Sequence, residues 1–420
     1  MEVDRSFYLS KYGDGTPRIS RSMRPGTEII VTIPCHNEPS LDESLMSLLA
    51  NDDPGCLVEI IVVINADEAA EERILAQNNS SKLVCLRVRK ELPSWLELHV
   101  LEENKLPVKH AGVGLARKIA MDEASWRFEN VIEENGIIVC YDADSLCETN
   151  YLREIKIHFD DNKRSPGCSI RYEHPLKGSE YSQPLYSGIA QYELHLRYYT
   201  MQQKWLNLPF AYQTIGSSMA VRWKPYQLEG GMNKRKAGED FYFLQKIIAR
   251  GDFSELSSTR VIPSPRSSDR VPFGTGKAVQ DYLDRNGEEL TTYNPLSFED
   301  LKVFLKYTLF EQMNEDLLPD SIKAYLSTTN WEEANREIRA NSSTQKAFVK
   351  RFYRWFNAFR LMKYLHYSRD YFHPNLTVSV AAQSALSSRD LLGKSSKNIA
   401  ELVVKYRELE YGDEPIQQEQ

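Results

Sequence analysis

A short apolar run, a polar turn and an amphipathic helix follow one another twice near the start of this chain, and that alternation constrains its fold more than any other feature. Glu28 to Pro34, EIIVTIP, reads as a buried strand closed by proline, and in CHNEPSLDESLMSLLA either Ser40 or Asp42 can cap the helix that follows. Residues 58–64, VEIIVVI, repeat the run, and NADE leads into the helical EAAEERILA. Strands alternating with helices in this way form parallel sheets. Leu83 to Val88 reads as a third strand, after which a long polar connection, RKELPSWLELHVLEENKLPVKHAG, reaches a helix from about Val113 to Glu123. Gly136 precedes the strand IIVCY at 137–141. A helix near 149–159, a strand near 168–172, a long helix from about 185 to 205 and a strand within TIGSSMAVR complete an α/β core with additions.

The chain then divides by composition. Residues 1–27 form an irregular lead-in whose role stays open, and 28–280 hold the α/β domain, including a basic Pro/Gly/Ser-rich loop at 260–277. Residues 281–410 return to helical periodicity with many aromatics, and 411–420 read as a polar tail. With 41% hydrophobic and 26% charged residues over 420 positions, the chain is globular, which excludes a disordered or collagen-like polymer. A balance of 52 Lys and Arg against 59 Asp and Glu, net −7, offers no field for sequence-independent capture of nucleic acid. Six cysteines without CxxC spacing fit a reduced compartment, and the expected location is cytoplasmic. The first residues carry no signal-peptide pattern, and the apolar runs are strand-sized, short of the roughly 20 residues that cross a bilayer. Any membrane contact is therefore expected to be peripheral.

Chemistry concentrates at two acidic pairs. Asp142 and Asp144 flank Ala143 directly after IIVCY, where i,i+2 carboxylates at the end of a strand can share a divalent cation; the plainer alternative is that they cap the next helix. Glu239 and Asp240 enter the first turn of a helix, where Asp240 can take a proton from a hydroxyl, or where both simply balance the preceding KRK. Arg266, Arg270 and Lys277 lie in PRSSDRVPFGTGK, able to fold over a diphosphate or to remain an exposed basic loop. Its GTGK end lacks the full phosphate-loop pattern. Trp205, Trp223 and Tyr226 can serve either an acceptor platform or the core.

Together these motifs resemble those of family 2-type glycosyltransferases with the nucleotide-sugar-binding A fold, GT-A, over residues 28–250. The resemblance implies a mixed, mainly parallel central sheet flanked by helices, with C-terminal helical additions. It also implies that Pro34, Asn37 and Glu38 form the loop approaching base and ribose, with Asp67 rather than Asn65 at the base. Lys109, Gly112, Ala116 and Arg117 resemble the family's Gly-x-x-x-Ala-Arg segment and its approach, and Arg117, Arg266 and Arg270 are the expected phosphate contacts. The DAD motif implies that Asp142 contacts the nucleotide and that Asp142 and Asp144 hold Mg²⁺ or Mn²⁺, with Asp269 a further ligand candidate; the family's acidic motif makes Asp240 the base and Glu239 its support. The implied reaction moves a sugar from a nucleoside diphosphate-sugar to an acceptor hydroxyl. The absence of a Gln-x-x-Arg-Trp motif departs from processive synthases and points to non-processive transfer. An inverting outcome is expected; a retaining one, a nucleotidyltransferase, a non-catalytic nucleotide-sugar-binding scaffold and a homodimer stay open.

Overall fold

The computed structural model describes residues 7–13, 17–131, 133–268, 274–309, 315–391 and 398–412. They fall into two compact units, one from residues 1–181 with 214–278 and the other from 182–213 with 279–420.

The first unit is built on eight strands: β1 (Thr27–Cys35), β2 (Leu57–Asp67), β3 (Leu96–Leu106), β4 (Ile137–Cys140), β5 (Leu146–Cys147), β6 (Gly167–Tyr172), β7 (Met219–Arg222) and β8 (Ser254–Ile262). Their order is β3-β2-β1-β4-β7-β6-β8-β5. β3, β2, β1 and β4 run parallel, as do β6 and β8, while β7 is antiparallel to both its neighbours and β5 to β8. The sheet is thus mixed and its first half wholly parallel. Helices α1 (Phe7–Tyr12), α2 (Leu41–Leu49), α3 (Glu72–Val88), α4 (Val113–Val131) and α5 (Tyr151–Asp161) precede α6 (Gln183–Trp205), and α7 (Trp223–Leu228) and α8 (Glu239–Ile248) follow it.

Strand periodicity sorts the two faces of the sheet. Ile29, Val31 and Ile33 of β1 join Ile60, Val62 and Ile64 of β2 in one apolar cluster with Leu41, Leu45 and Leu48 of α2 and Leu152 and Ile155 of α5. The alternate residues face α4, where Glu59 of β2 receives both Nε and Nη2 of Arg127 at 2.6 and 2.8 Å. Covering on both faces explains why β1 and β2 read as continuous apolar runs.

Two expectations require correction. Leu83 to Val88 is the end of helix α3, and the third strand lies at 96–106, inside the stretch read as a connection. Ser81, Cys85 and Val88 are buried at helical spacing, while Leu83 and Leu86 are 58% and 40% exposed, so this apolar run covers a helix face. β3 escaped notice because Glu97 and His99 interrupt its apolar pattern; both are buried, Glu97 against Arg21 and Arg24. α4 also runs on to Val131, beyond the expected Glu123.

The lead-in, whose role was open, is fixed to α4. Tyr8 donates its hydroxyl to Asp122 at 2.7 Å, and the backbone amides of Arg18 and Ile19 donate to the carboxylate of Glu123 at 2.9 and 3.2 Å. Tyr226 also donates to Asp122, at 2.6 Å, and Trp223 is buried, so both aromatics serve the core.

The second unit is helical: α6, α9 (Thr275–Asp284, which begins in the first unit), α10 (Pro295–Leu309), α11 (Asp320–Ser327), α12 (Trp331–Ala340), α13 (Gln345–Trp355), α14 (Ala358–Tyr371), α15 (Val378–Ser387) and α16 (Ile399–Tyr411). Its membership differs from the expected split after residue 280, because α6 packs on α15 and α16. Glu193 of α6 accepts from Arg197 at 2.7 Å and from Arg407 of α16 at 2.7 and 2.9 Å. Trp205 is half-buried beneath the guanidinium of Arg389, 3.9 Å from its ring centre. Among the described residues no helix is long and apolar enough to cross a membrane.

Candidate functional site

Where the parallel strands β2, β1 and β4 end, their loops meet at one edge of the sheet, the edge at which open α/β sheets collect ligands. Pro34 is the penultimate residue of β1, in register with Val63. Beyond it Asn37 takes a left-handed φ of 50°, a conformation asparagine tolerates, and its amide donates to Asn78 Oδ1 at 3.0 Å. That turn fixes Glu38, which is 3% exposed. Its carbonyl accepts from Gln77 at 3.0 Å and Ser81 at 3.1 Å, and its Oε1 from the Ser40 amide at 2.9 Å.

The two acidic pairs and Glu38 are held by two arginines from different parts of the chain. Arg117, on the first turns of α4 and 2% exposed, donates from Nη2 to Asp142 Oδ1 at 2.6 Å and from Nη1 to Glu239 Oε1. Arg266, just after β8, donates from Nη2 to both Glu38 Oε2 and Asp144 Oδ2, the latter at 2.7 Å, with Nε 3.2 Å from the same oxygen. Such charge-assisted bridges fix both partners in direction as well as distance.

Close backbone approach makes the arrangement possible. A Cβ on Gly114 would lie 2.1 Å from the carbonyl oxygen of Arg235, so the loop before α8 rests on the start of α4 and delivers Glu239 to Arg117. A Cβ on Gly216 would meet the Arg117 guanidinium at 2.8 Å. Gly238, at φ 66°, turns the chain into α8, and Asp240 then accepts from the Phe241 amide at 2.7 Å and from the amide of Gly216.

Electrostatics follow from this burial. Arg117 loses stabilisation of its charge to burial but gains more from Asp142 and Glu239, so its pKa rises and it stays cationic. Burial pushes the Glu239 carboxyl up to about 7 against the pull of Arg117, with the charges of Asp240 and Asp142 adding to the rise. Asp240 is raised for the same reasons, burial first, with Arg117 and the two amides opposing it and Asp142 reinforcing it. Asp240 is therefore an oriented carboxylate of increased basicity.

The structure thus brings together Glu38, Arg117, Asp142, Asp144, Glu239, Asp240 and Arg266. It leaves Lys109 exposed in the turn before α4, with Gly112 next to Lys236. Asp67 accepts from the Ala69 amide at 2.8 Å in a turn, whereas Oδ1 of Asn65, a residue 3% exposed, has no hydrogen-bond partner among the described residues. Asp269 and Arg270 lie outside the described residues. Sequence reasoning missed Gly216 and the second carboxylate on each arginine; GSS before an apolar strand was the one available signal.

The residues here able to serve a divalent cation are Asp142 and Asp144, each paired with an arginine. Asp142 and Asp144 are hard oxygen donors with side chains 36% and 25% exposed, and Arg266 engages only Oδ2 of Asp144.

No protein-family model matches the chain, and no curated protein matches it. Among solved structures, residues 1–349 of S. aureus TarS are similar at 17% identity, covering 91% of this chain and 89% of that one, with a TM-score of 0.38. The same protein in complex with UDP-GlcNAc is similar at 16% identity, 86% and 92% coverage and a TM-score of 0.41. The mannosyltransferase PcManGT from Pyrobaculum calidifontis, in complex with GDP-Man and Mn²⁺, is similar at 14% identity, 95% and 91% coverage and a TM-score of 0.34. Likenesses this distant say nothing of chemistry, which rests on the residues of this chain.

Proposed function

We propose that the chain is a metal-dependent, non-processive glycosyltransferase that moves a sugar from a nucleoside diphosphate-sugar to an acceptor hydroxyl with inversion. The observation that carries this reading is the convergence of Glu38, the Asp142/Asp144 pair and the Glu239/Asp240 pair at the carboxyl ends of parallel strands, held by two permanently charged arginines. Asp142 and Asp144 would hold Mg²⁺ or Mn²⁺, which when bound supplies charge neutralisation for a departing diphosphate. Arg266 is the nearby cation able to exchange a carboxylate for a phosphate oxygen, since it is engaged at the rim by two acids from different loops. Asn65 Oδ1, buried at the end of β2 and without a hydrogen-bond partner among the described residues, suits an N–H on a base edge, and we favour it over Asp67 as the base contact. Asp240, raised and aimed by two amides, takes the proton of the attacking hydroxyl; Glu239 and Arg117 position it.

Calorimetric titration with UDP-, GDP- and ADP-sugars, with and without Mn²⁺, followed by product analysis, tests the reading. Metal-dependent binding of one donor and release of a nucleoside diphosphate are expected, with Asp142→Ala abolishing transfer at a temperature where the variant is still fully folded, its unfolding temperature lowered because buried Arg117 loses a partner. Pyrophosphate release would reassign the site to nucleotidyl transfer, and binding without turnover over a broad acceptor panel would reduce it to a nucleotide-sugar receptor.

A further inference from the structure

The two arginines that hold the acidic site are not held equally themselves. Arg117 is buried, bonds Asp142 at 2.6 Å and Glu239 as well, and lies so close to Gly216 that a Cβ there would come within 2.8 Å of it. Backbone and two acids enclose it, so its place is fixed. Arg266 instead follows the end of β8 with its side chain 20% exposed, and its two partners come from other loops, Glu38 after β1 and Asp144 after β4. It is the one of the pair that has room to turn.

The partners of Arg266 are unequal as well. Glu38 is buried, with Oε1 on the Ser40 amide at 2.9 Å and Oε2 bonded to Arg266, so removing Arg266 takes from a buried carboxylate a charge partner it needs. Asp144 is partly exposed, and water or another cation can match it instead. Arg266 reaches it through Nη2 at 2.7 Å and Nε at 3.2 Å, both on Oδ2. With a guanidinium on each of Asp142 and Asp144, the pair offers a lone dication little net negative charge, and like charges this near in a partly buried site repel.

We infer that Arg266 is a latch on the metal carboxylates: it keeps Glu38 as a pivot and turns from Asp144 to a phosphate oxygen when a diphosphate enters, which frees Asp144 for the cation. The inference rests on the glycosyl-transfer reading above and adds to it a coupling between donor and metal. Neither ligand alone suits the site, since a cation meets two guanidinium groups and a diphosphate meets two carboxylates. Bound together they neutralise each other, and Arg266 gains one charge-assisted bond for the one it gives up. Arg117, which cannot move, keeps Asp142 aimed throughout. The competing role for Arg266 is a fixed brace between loops, under which its loss leaves metal affinity unchanged.

Mn²⁺ titrations of the full chain, followed through the electron paramagnetic resonance of the free ion, test the latch without any turnover. With no nucleotide added, Mn²⁺ is expected to bind about tenfold tighter to Arg266→Gln than to the wild type. Glu38→Gln/Arg266→Gln, which removes the buried carboxylate together with its partner, should show the same gain and serves if the single variant unfolds. Lys236→Gln, which removes an exposed charge near Gly112, should leave Mn²⁺ affinity as it is and so separates a latch from a general loss of positive charge. Calorimetric titration with UDP, GDP and ADP, in excess Mn²⁺ or in EDTA, should show in the wild type a strong dependence on metal that shrinks in both Arg266 variants. Equal Mn²⁺ affinity in the wild type and both variants, alongside metal-dependent nucleotide binding, makes Arg266 a fixed brace and overturns the inference while the glycosyl-transfer reading stands. An equal gain in Lys236→Gln overturns it too. Mn²⁺ and nucleotide that bind to none of these proteins overturn both.

Discussion

Asp240 shows how one residue's chemistry is set by others far away in sequence. Free aspartate titrates near pH 3.9, about, but here burial raises the carboxyl, the Asp142 charge raises it further, and Arg117 with the amides of Phe241 and Gly216 pulls part of the way back. A base works only when deprotonated, so a raised pKa moves the loss of activity on the acid side to higher pH. The acid limb of kcat/KM is accordingly expected above the ordinary aspartate range, with rate falling as pH drops through it. Asp240→Asn should lower kcat by about 10²–10⁴-fold with little change in donor affinity, and should remove that limb. A limb that survives the substitution would assign the base elsewhere. The acids of this site were legible because DAD after a strand and ED at a helix start are local patterns. What held them was not: nothing near Arg117 in sequence announces that its two terminal nitrogens reach Asp142 and Glu239, 25 and 122 positions away.

Elements were legible where their burial is apolar and hidden where it is charged. β1 and β2 announced themselves through nearly unbroken apolar runs, while β3 was concealed by Glu97 and His99, and the end of α3 imitated a strand because its helix face and its exposed Leu83 and Leu86 together made a short apolar run. The contact of most consequence between elements is the seat of the loop before α8 on the first turn of α4. Gly114 is required there by space, since any Cβ would lie 2.1 Å from the Arg235 carbonyl oxygen and 3.1 Å from that of Asn233. Gly114→Ala must push the loop away, at a cost of about 1–3 kcal/mol for overpacking. The same displacement draws Glu239 from Arg117 and turns Asp240. Thermal unfolding should therefore fall modestly while transfer activity falls by a much larger factor at a temperature where the variant is fully folded. Proportionate losses of both would show that this contact supports the fold without aligning the site.

For the molecule as a whole, the chain passes between its two compact units at residues 181/182, 213/214 and 278/279, so neither unit is a continuous stretch. A boundary drawn after residue 280 follows composition, which cannot see that α6 belongs with the C-terminal helices; that membership is decided by charges paired across 213 positions, Arg197 with Glu410, and across 214, Glu193 with Arg407. A chain ended at residue 278 would keep α6 and lose every one of those partners. Leu194, Tyr198 and Met201, now buried, would face water, and Glu193 and Arg197, now in a closed network, would lose Arg407 and Glu410. Removing one side of a buried ion network costs about 3–5 kcal/mol, and the exposed apolar face adds a surface for association. The truncated chain 1–278 is therefore expected to aggregate on expression. Replacing residues 182–213 of that same truncation with a Gly/Ser linker removes the orphaned helix along with its partners, and should return a soluble product with a cooperative unfolding transition and retained nucleotide-sugar binding. If 1–278 with its native 182–213 were soluble and cooperative, α6 would belong energetically to the first unit; if the linker version failed as well, the sheet would depend on the helical unit for its own stability.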